Sequence, residues 1–227
     1  MQTIAKKSES AQGSASAEKP TRREKERLRR VELILGAAEE LFFERGFAAT
    51  TMNDIGDAAE FSRASLYNYF PSKEKIYAAI LVRAMDQLVS EAESSTVEAE
   101  GAAAKIHNLK DAILSFIRRR PAFFHLYFIT RFEVIPDLDG ELAEQLEQET
   151  KRLERIFHEI YREGVSNAEL RECDPMAMGD IFFAQIVGLL MMSRTETLEP
   201  PLAANVDQAT DFFLDGIKSV GTITMEE

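Results

Sequence analysis

The chain has no tryptophan, three histidines and a single cysteine, Cys173, in 227 residues. One thiol excludes an internal disulfide and any CxxC redox or zinc pattern. Cys173, followed by Asp174 and Pro175, reads as a loop thiol in a reducing cytoplasm. The histidines carry no metal signature: His158 and Glu159 open an H-E pair, but Arg162 stands where a second histidine is needed, and no Glu-x-x-His pair occurs. His107, His125 and His158 are expected in packing or at the surface, and no metal or cofactor is expected. Phosphate-binding G-x-x-x-x-G-K-S/T and nucleophile-elbow G-x-S-x-G patterns are missing as well, so nothing speaks for an enzyme. No stretch approaches 18 uninterrupted apolar residues, and MQTIAKKSESAQGSASAEK lacks the apolar centre of a signal peptide. The expected protein is soluble and cytoplasmic, with no membrane partner.

Strand alternation is scarce, and apolar residues instead recur at spacings of three and four, which predicts an all-α fold of about nine helices. A first helix is expected over about 23–45, stopped by Gly46. Two short helices follow, the first from Met52, and Ser72 caps a fourth whose Ile76, Tyr77, Ile80, Leu81, Ala84, Met85 and Leu88 form one stripe. The small and acidic run 91–104 should hold its end and a loop. A fifth helix is expected over 104–119, a sixth from Pro121, a long seventh over 140–163, a loop over 164–175, an eighth over 175–195 and a ninth over 204–221. Residues 1–21 form a polar tail with too little apolar surface to offset its ordering entropy.

A basic excess is also lacking, since the net charge is −12. The charge is unevenly divided. Residues 1–75 hold 13 Lys+Arg against 12 Asp+Glu, or +1, and residues 76–227 hold 14 against 27, or −13. Within the first part, KPTRREKERLRR (19–30) carries seven basic and two acidic residues. That run can be a solvated helical turn with i,i+4 Glu/Arg pairs, a local phosphate-binding field, or both.

The chemistry-bearing segment is TMNDIGDAAEFSRASLYNYF, residues 51–70. Thr51 and Asp54 form the S/T-x-x-D/E pattern that caps a helix start, Glu60 and Phe61 occupy a turn, and Ser62 can cap a second short helix. That helix turns Leu66 and Tyr69 or Phe70 inward and leaves Arg63, Ala64, Ser65, Tyr67 and Asn68 outward. Two helices joined by a three- to four-residue turn, the second with short polar and basic side chains on its first turn, make a helix-turn-helix that enters a major groove. Arg63 at the start of the recognition helix can pair with guanine O6 and N7, with Ser65 and Asn68 subordinate, while Ala64 can at most touch a thymine methyl. Ser62, Thr51, Tyr67, Tyr69 and Lys73 are the remaining DNA-contact candidates, the last four for phosphates, with Tyr69 also readable as a core aromatic.

Phe47, Thr50, Thr51, Ile55, Ala58, Ala59, Ser62, Leu66, Tyr67, Phe70, Lys73 and Glu74 stand at spacings that resemble the tetracycline-repressor (TetR) family of bacterial regulators, over roughly residues 33–81. Glu60 departs from the pattern where that family has glycine, and a left-handed backbone there costs a non-glycine residue roughly 1 kcal/mol. Either the turn is reshaped or the strain is tolerated. Phe61 and Ala64 are milder departures. The resemblance implies a helix-turn-helix domain over 22–71 and a helical effector-binding and dimerisation domain over 72–227. It also implies a homodimer on a near-palindromic double-stranded operator, released when a small molecule binds, and it assigns Tyr67 to the DNA backbone.

For the effector, an apolar cavity suited to a hydrophobic or amphipathic compound is expected around Phe124, Tyr127, Phe128, Arg131, Phe157, Tyr161 and Phe183, although such a stripe is more often plain core. Arg118 to Arg120 either neutralise the end of the fifth helix or receive the head group of an acyl-CoA. IFFAQIVGLLMM (181–192) is apolar on nearly every side, as expected of a helix that is either central to the core or shared with a partner copy. Ala184, Gly188, Met191, Phe212, Phe213 and Gly216 are the candidate dimer contacts. The alternative is a DNA-bound scaffold of the same fold that recruits a protein and senses no small molecule; a filled core without a cavity would mark it.

Overall fold

The structure, a computed structural model, describes residues 21–130, 140–193 and 201–219. Nine α-helices lie in these residues: α1 Arg22–Arg45, α2 Met52–Ala58, α3 Arg63–Tyr67, α4 Lys73–Thr96, α5 Ala102–Arg119, α6 Pro121–His125, α7 Glu141–Ser166, α8 Pro175–Met192 and α9 Leu202–Ile217. Among the described residues the only extended pairing is an isolated bridge between Leu170 and Lys218. Residues 1–20 of the expected tail and Arg131 lie outside the described residues, whereas the last helix ends at Ile217, short of the expected 221, because Lys218 turns to extended backbone and bridges Leu170.

The helix starts follow the local grammar of side chain and backbone. Thr21 and Glu24 close a capping box on α1, Thr51 and Asp54 close another on α2, Ser62 accepts the Ser65 amide on α3, and Ser72 accepts the Lys75 amide on α4. Gly46 ends α1 at φ 84°, the left-handed region that favours glycine. α1 buries Ile34, Leu35, Ala38, Leu41 and Phe42 against α2 and α4. α4 is the axle of the molecule: it touches α1 at one end and packs along α5 and α7 over the rest of its length.

Two expected boundaries shift for tertiary reasons. α4 runs on to Thr96, so the loop before α5 is only Val97 to Gly101. α7 does not end at Glu163 but carries Gly164 inside it, where an added Cβ would stand 2.6 Å from Ala102 Cβ and 2.7 Å from Leu170 Cδ1. Gly164 is therefore a close-crossing residue, not a terminator. Next to this crossing the Glu169 carboxylate accepts the Ala102 amide at 2.6 Å and caps α5 from a distant loop. After His125 the chain widens into a π-helical turn, Leu126–Thr130.

Glu60 has φ 60°, so the turn keeps the left-handed geometry expected of a glycine and the strain is tolerated. Glu60→Gly is expected to raise stability by about 0.5–1 kcal/mol, the relief at φ > 0 outweighing glycine's extra chain entropy. Scanning calorimetry should show a melting temperature higher by a few degrees; an unchanged or lower one would mean that Glu60 makes a compensating contact.

Candidate nucleic-acid interface and effector cavity

α2 and α3 are held at a fixed angle by a small buried hinge. Ile55 and Leu66 are fully buried, the Phe61 amide donates to the Gly56 carbonyl at 2.8 Å, and the approach at Gly56 is tight, since an added Cβ would lie 3.1 Å from the Phe61 carbonyl oxygen. With Leu66 and Phe70 turned inward, Arg63, Ala64, Tyr67 and Asn68 are exposed on the opposite side and Ser65 is half-buried. The Arg63 guanidinium stands 5.7 Å from the Tyr67 ring centroid. That contact keeps a long side chain near the helix start and leaves its donors free to reach outward.

The other DNA candidates divide. Thr51 donates its hydroxyl to Asp54 and accepts the Asp54 amide, so the hydroxyl is engaged in capping; the donations of the Thr51 hydroxyl and backbone amide to the Asp54 carboxylate hold that carboxyl below its ordinary value. Tyr69 is half-buried and meets Phe61 edge to face at 5.8 Å. Lys73 corrects the expectation of a phosphate contact. Its ammonium donates to the carbonyls of Phe47 at 2.9 Å, Thr50 at 3.0 Å and Ala48 at 3.4 Å, and it lies 4.4 Å from the Phe47 ring centroid. Three acceptors use all three of its protons. The lysine ties the start of α4 to the loop between α1 and α2.

What the spacing could not show is where the arginines of α1 lie. Arg22, Arg23, Arg27 and Arg30 line a cleft whose other wall is Ser65, Asn68 and Tyr69. The basic run thus borders the recognition helix, even though Arg30 also carries the i,i+4 pair with Glu26 at 3.0 Å, which raises its pKa. Arg83 was missed for the same reason: from α4 it pairs with Glu39 at 2.6 Å and Glu32 at 2.7 Å, both on α1.

Arg63→Ala is expected to weaken operator binding by roughly 1–3 kcal/mol per half-site and to relax preference at one base pair of each. Binding-site selection with wild type and variant checks it. An unaltered preference would remove Arg63 from base readout.

Further along the chain a cavity of about 230 Å³ lies among α4, α5, α6, α7 and α8. Met85, Ile117, Phe123 and Leu190 form part of its apolar wall, and Tyr127, Phe128 and Phe183 join them from the expected set. Tyr127 and Thr150 share a hydrogen bond at 3.0 Å on that wall. Phe124, Phe157 and Tyr161 do not line it, correcting that part of the expectation. Phe157 is stacked on Phe182 at 4.8 Å as core, Phe124 packs on Phe128, and Tyr161 donates to the Arg171 carbonyl and accepts the Cys173 amide. On α8 and α9, Ala184, Gly188, Phe212 and Gly216 are exposed, Phe212 by 68%. Met191 is half-buried against the core. Phe213 turns inward, 6.0 Å from the Phe182 ring, so it belongs to the protomer's own core and not to that outer face.

The sequence profile of the bacterial regulatory proteins of the tetR family matches residues 34–80, the helices just described. Beyond them, the HTH-type transcriptional repressor KstR2 of Mycolicibacterium smegmatis is 30% identical over 145 residues, 63% of this chain and 68% of that protein. The chain belongs to the TetR family. The HTH-type transcriptional activator FasR of the same organism is 28% identical over 151 residues, 66% of each chain. The chain spans about two thirds of the length of these curated relatives. Among solved structures, the transcriptional regulator FadR from Bacillus subtilis in complex with stearoyl-CoA superposes with a TM-score of 0.70 over 82% of this chain and 98% of that one, at 20% identity. The likeness covers the helices beyond α3 and shows that their arrangement, too, is that of a TetR-family regulator. Members of the family bind DNA and dimerise, and the exposed apolar side of α8 fits that habit: Met176, Ile181 and Met192 are each about half exposed on a helix of mean hydropathy 1.6, long and apolar enough by composition to cross a membrane.

Proposed function

We propose that this chain is a homodimeric, ligand-responsive regulator of transcription in the cytoplasm, a repressor that leaves its operator when a hydrophobic or amphipathic small molecule enters the cavity. Residues 22–71 form the DNA-binding domain, with α3 in the major groove and Arg63 on the bases. Residues 72–227 hold the effector and the dimer contacts, made by α8 and α9 across a two-fold axis. Recognition helices of the two protomers then meet successive major grooves, roughly 34–36 Å apart.

The observation that carries the effector reading is the cavity itself, because α4 supplies part of its wall and also contacts the DNA-binding helices. Met85 and Leu88 of α4 face the cavity. On the same helix Tyr77 donates to the Leu126 carbonyl at 2.5 Å, and Arg83 grips Glu39 of α1. An occupant that displaces α4 changes the separation of the two α3 helices and favours the weak-binding arrangement. A cavity also argues against a scaffold that senses nothing.

The test selects a bound fragment from a genomic library by retardation, then titrates hydrophobic compounds that raise the protein's melting temperature. Release of the fragment by a compound that no longer acts on Leu88→Trp supports the reading. A compound that occupies the cavity and leaves DNA affinity unchanged would return the protein to the scaffold class.

A further inference from the structure

The charges on the cavity wall select among effectors. Two charged side chains line it, the half-buried Glu154 of α7 and the exposed Asp180 of α8, and both are acidic; no arginine, lysine or histidine lines it among the described residues. Arg118, Arg120 and Arg155, close to lining residues in sequence, do not line it, and four other cations near the cavity are engaged elsewhere. Arg152 binds Glu93 and also reaches Asp86 and Glu149, Lys151 pairs with Glu147, Arg119 with Glu91, and Lys110 with Asp207 and Asp111. Glu154 and Asp180, by contrast, have neither ion pair nor side-chain hydrogen bond among the described residues.

A carboxylate at the edge of an apolar cavity is hydrated while the cavity is open. An apolar occupant strips that water and leaves the charge without a partner; an anionic occupant adds like-charge repulsion. A cation replaces the lost water with an ion pair, and aromatic walls add to its binding. Phe123, Tyr127, Phe128 and Phe183 supply such rings.

We propose that the effector is a hydrophobic cation, an alkyl or aryl amine or quaternary ammonium, whose charge is held by Glu154 and Asp180 and whose apolar part fills the space between α4, α5 and α6. The inference rests on the cavity being the effector site. It sets this protein apart from its neighbour in complex with stearoyl-CoA, whose head group is anionic, and narrows the broader expectation of a hydrophobic compound that included acyl-CoA.

Isothermal titration of the full-length protein with decyltrimethylammonium, decanol and decanoate, each below its micelle-forming concentration, tests the proposal. The expected order is cation, alcohol, anion, with the cation binding about tenfold or more tighter than the anion. In Glu154→Gln/Asp180→Asn the cation should lose its lead over the alcohol, while the alcohol binds as before and so reports an intact cavity. Equal binding of all three to the wild type, or a lead that survives in the double variant, overturns the charge preference and leaves the cavity standing as an effector site. If none of the three binds, the effector reading itself falls and takes this inference with it.

Discussion

Gly188→Leu is expected to turn the dimer into monomers and to lower operator affinity by about two orders of magnitude or more, because linked half-site binding is lost. The substitution separates interface from fold unusually well. Gly188 lies on the exposed side of α8, and a Cβ built there meets nothing within 4 Å, so leucine fits the isolated protomer. Replacing a mid-helix glycine should even stabilise α8 by up to about 1 kcal/mol. On the proposed interface, a second copy of the chain packed on this face is what the new side chain would displace. Light scattering at micromolar concentration should give the mass of one chain with helicity and melting behaviour preserved. A dimer that survives would take α8 out of the interface.

Lys73→Ala should destabilise the fold by roughly 2–3 kcal/mol, since removing a half-buried ammonium leaves three carbonyls without their donor. The loss should appear in urea as a lower midpoint at an unchanged slope. At temperatures where the variant stays folded, the dependence of DNA affinity on salt should match the wild type. A stable variant whose salt slope falls by about one would instead place the ammonium on a phosphate. Both outcomes are measurable on the same preparation.

These two residues also mark how far the chain could be read in advance. Thr51, Ser62 and Ser72 announce their helices because a cap is a bond between residues three apart, and the helix-turn-helix is built from such bonds. At Glu60 the resemblance left a reshaped turn and tolerated strain both open, and the backbone φ of 60° decides for strain. Lys73 was not legible, because its acceptors lie 23 to 26 residues away on another loop. Gly164 shows the same limit from the other side: glycine after a long helical run signals a terminus, and only the crossing with Ala102 reveals it as a spacer. Aromatic periodicity places Phe124, Tyr127 and Phe128 on the inner side of one segment, and Phe157 and Phe183 on the inner sides of theirs. Which of them border a cavity depends on how five helices meet, a matter that period alone does not encode.

With arginines gathered in the cleft beside α3 and −13 spread over residues 76–227, the charge of the protein is unevenly divided between its DNA-binding helices and the rest. Near a polyanion such a molecule is turned before it touches: the acidic end is pushed back and the arginine-bearing end is drawn in. Collisions are thereby sorted by orientation, and fewer of them are wasted. Ionic strength should act mainly on how fast the protein arrives, whereas how long it stays is left to short-range contacts, the proposed one of Arg63 among them. The surplus of acid that seems at odds with nucleic-acid binding is, on this account, a rudder.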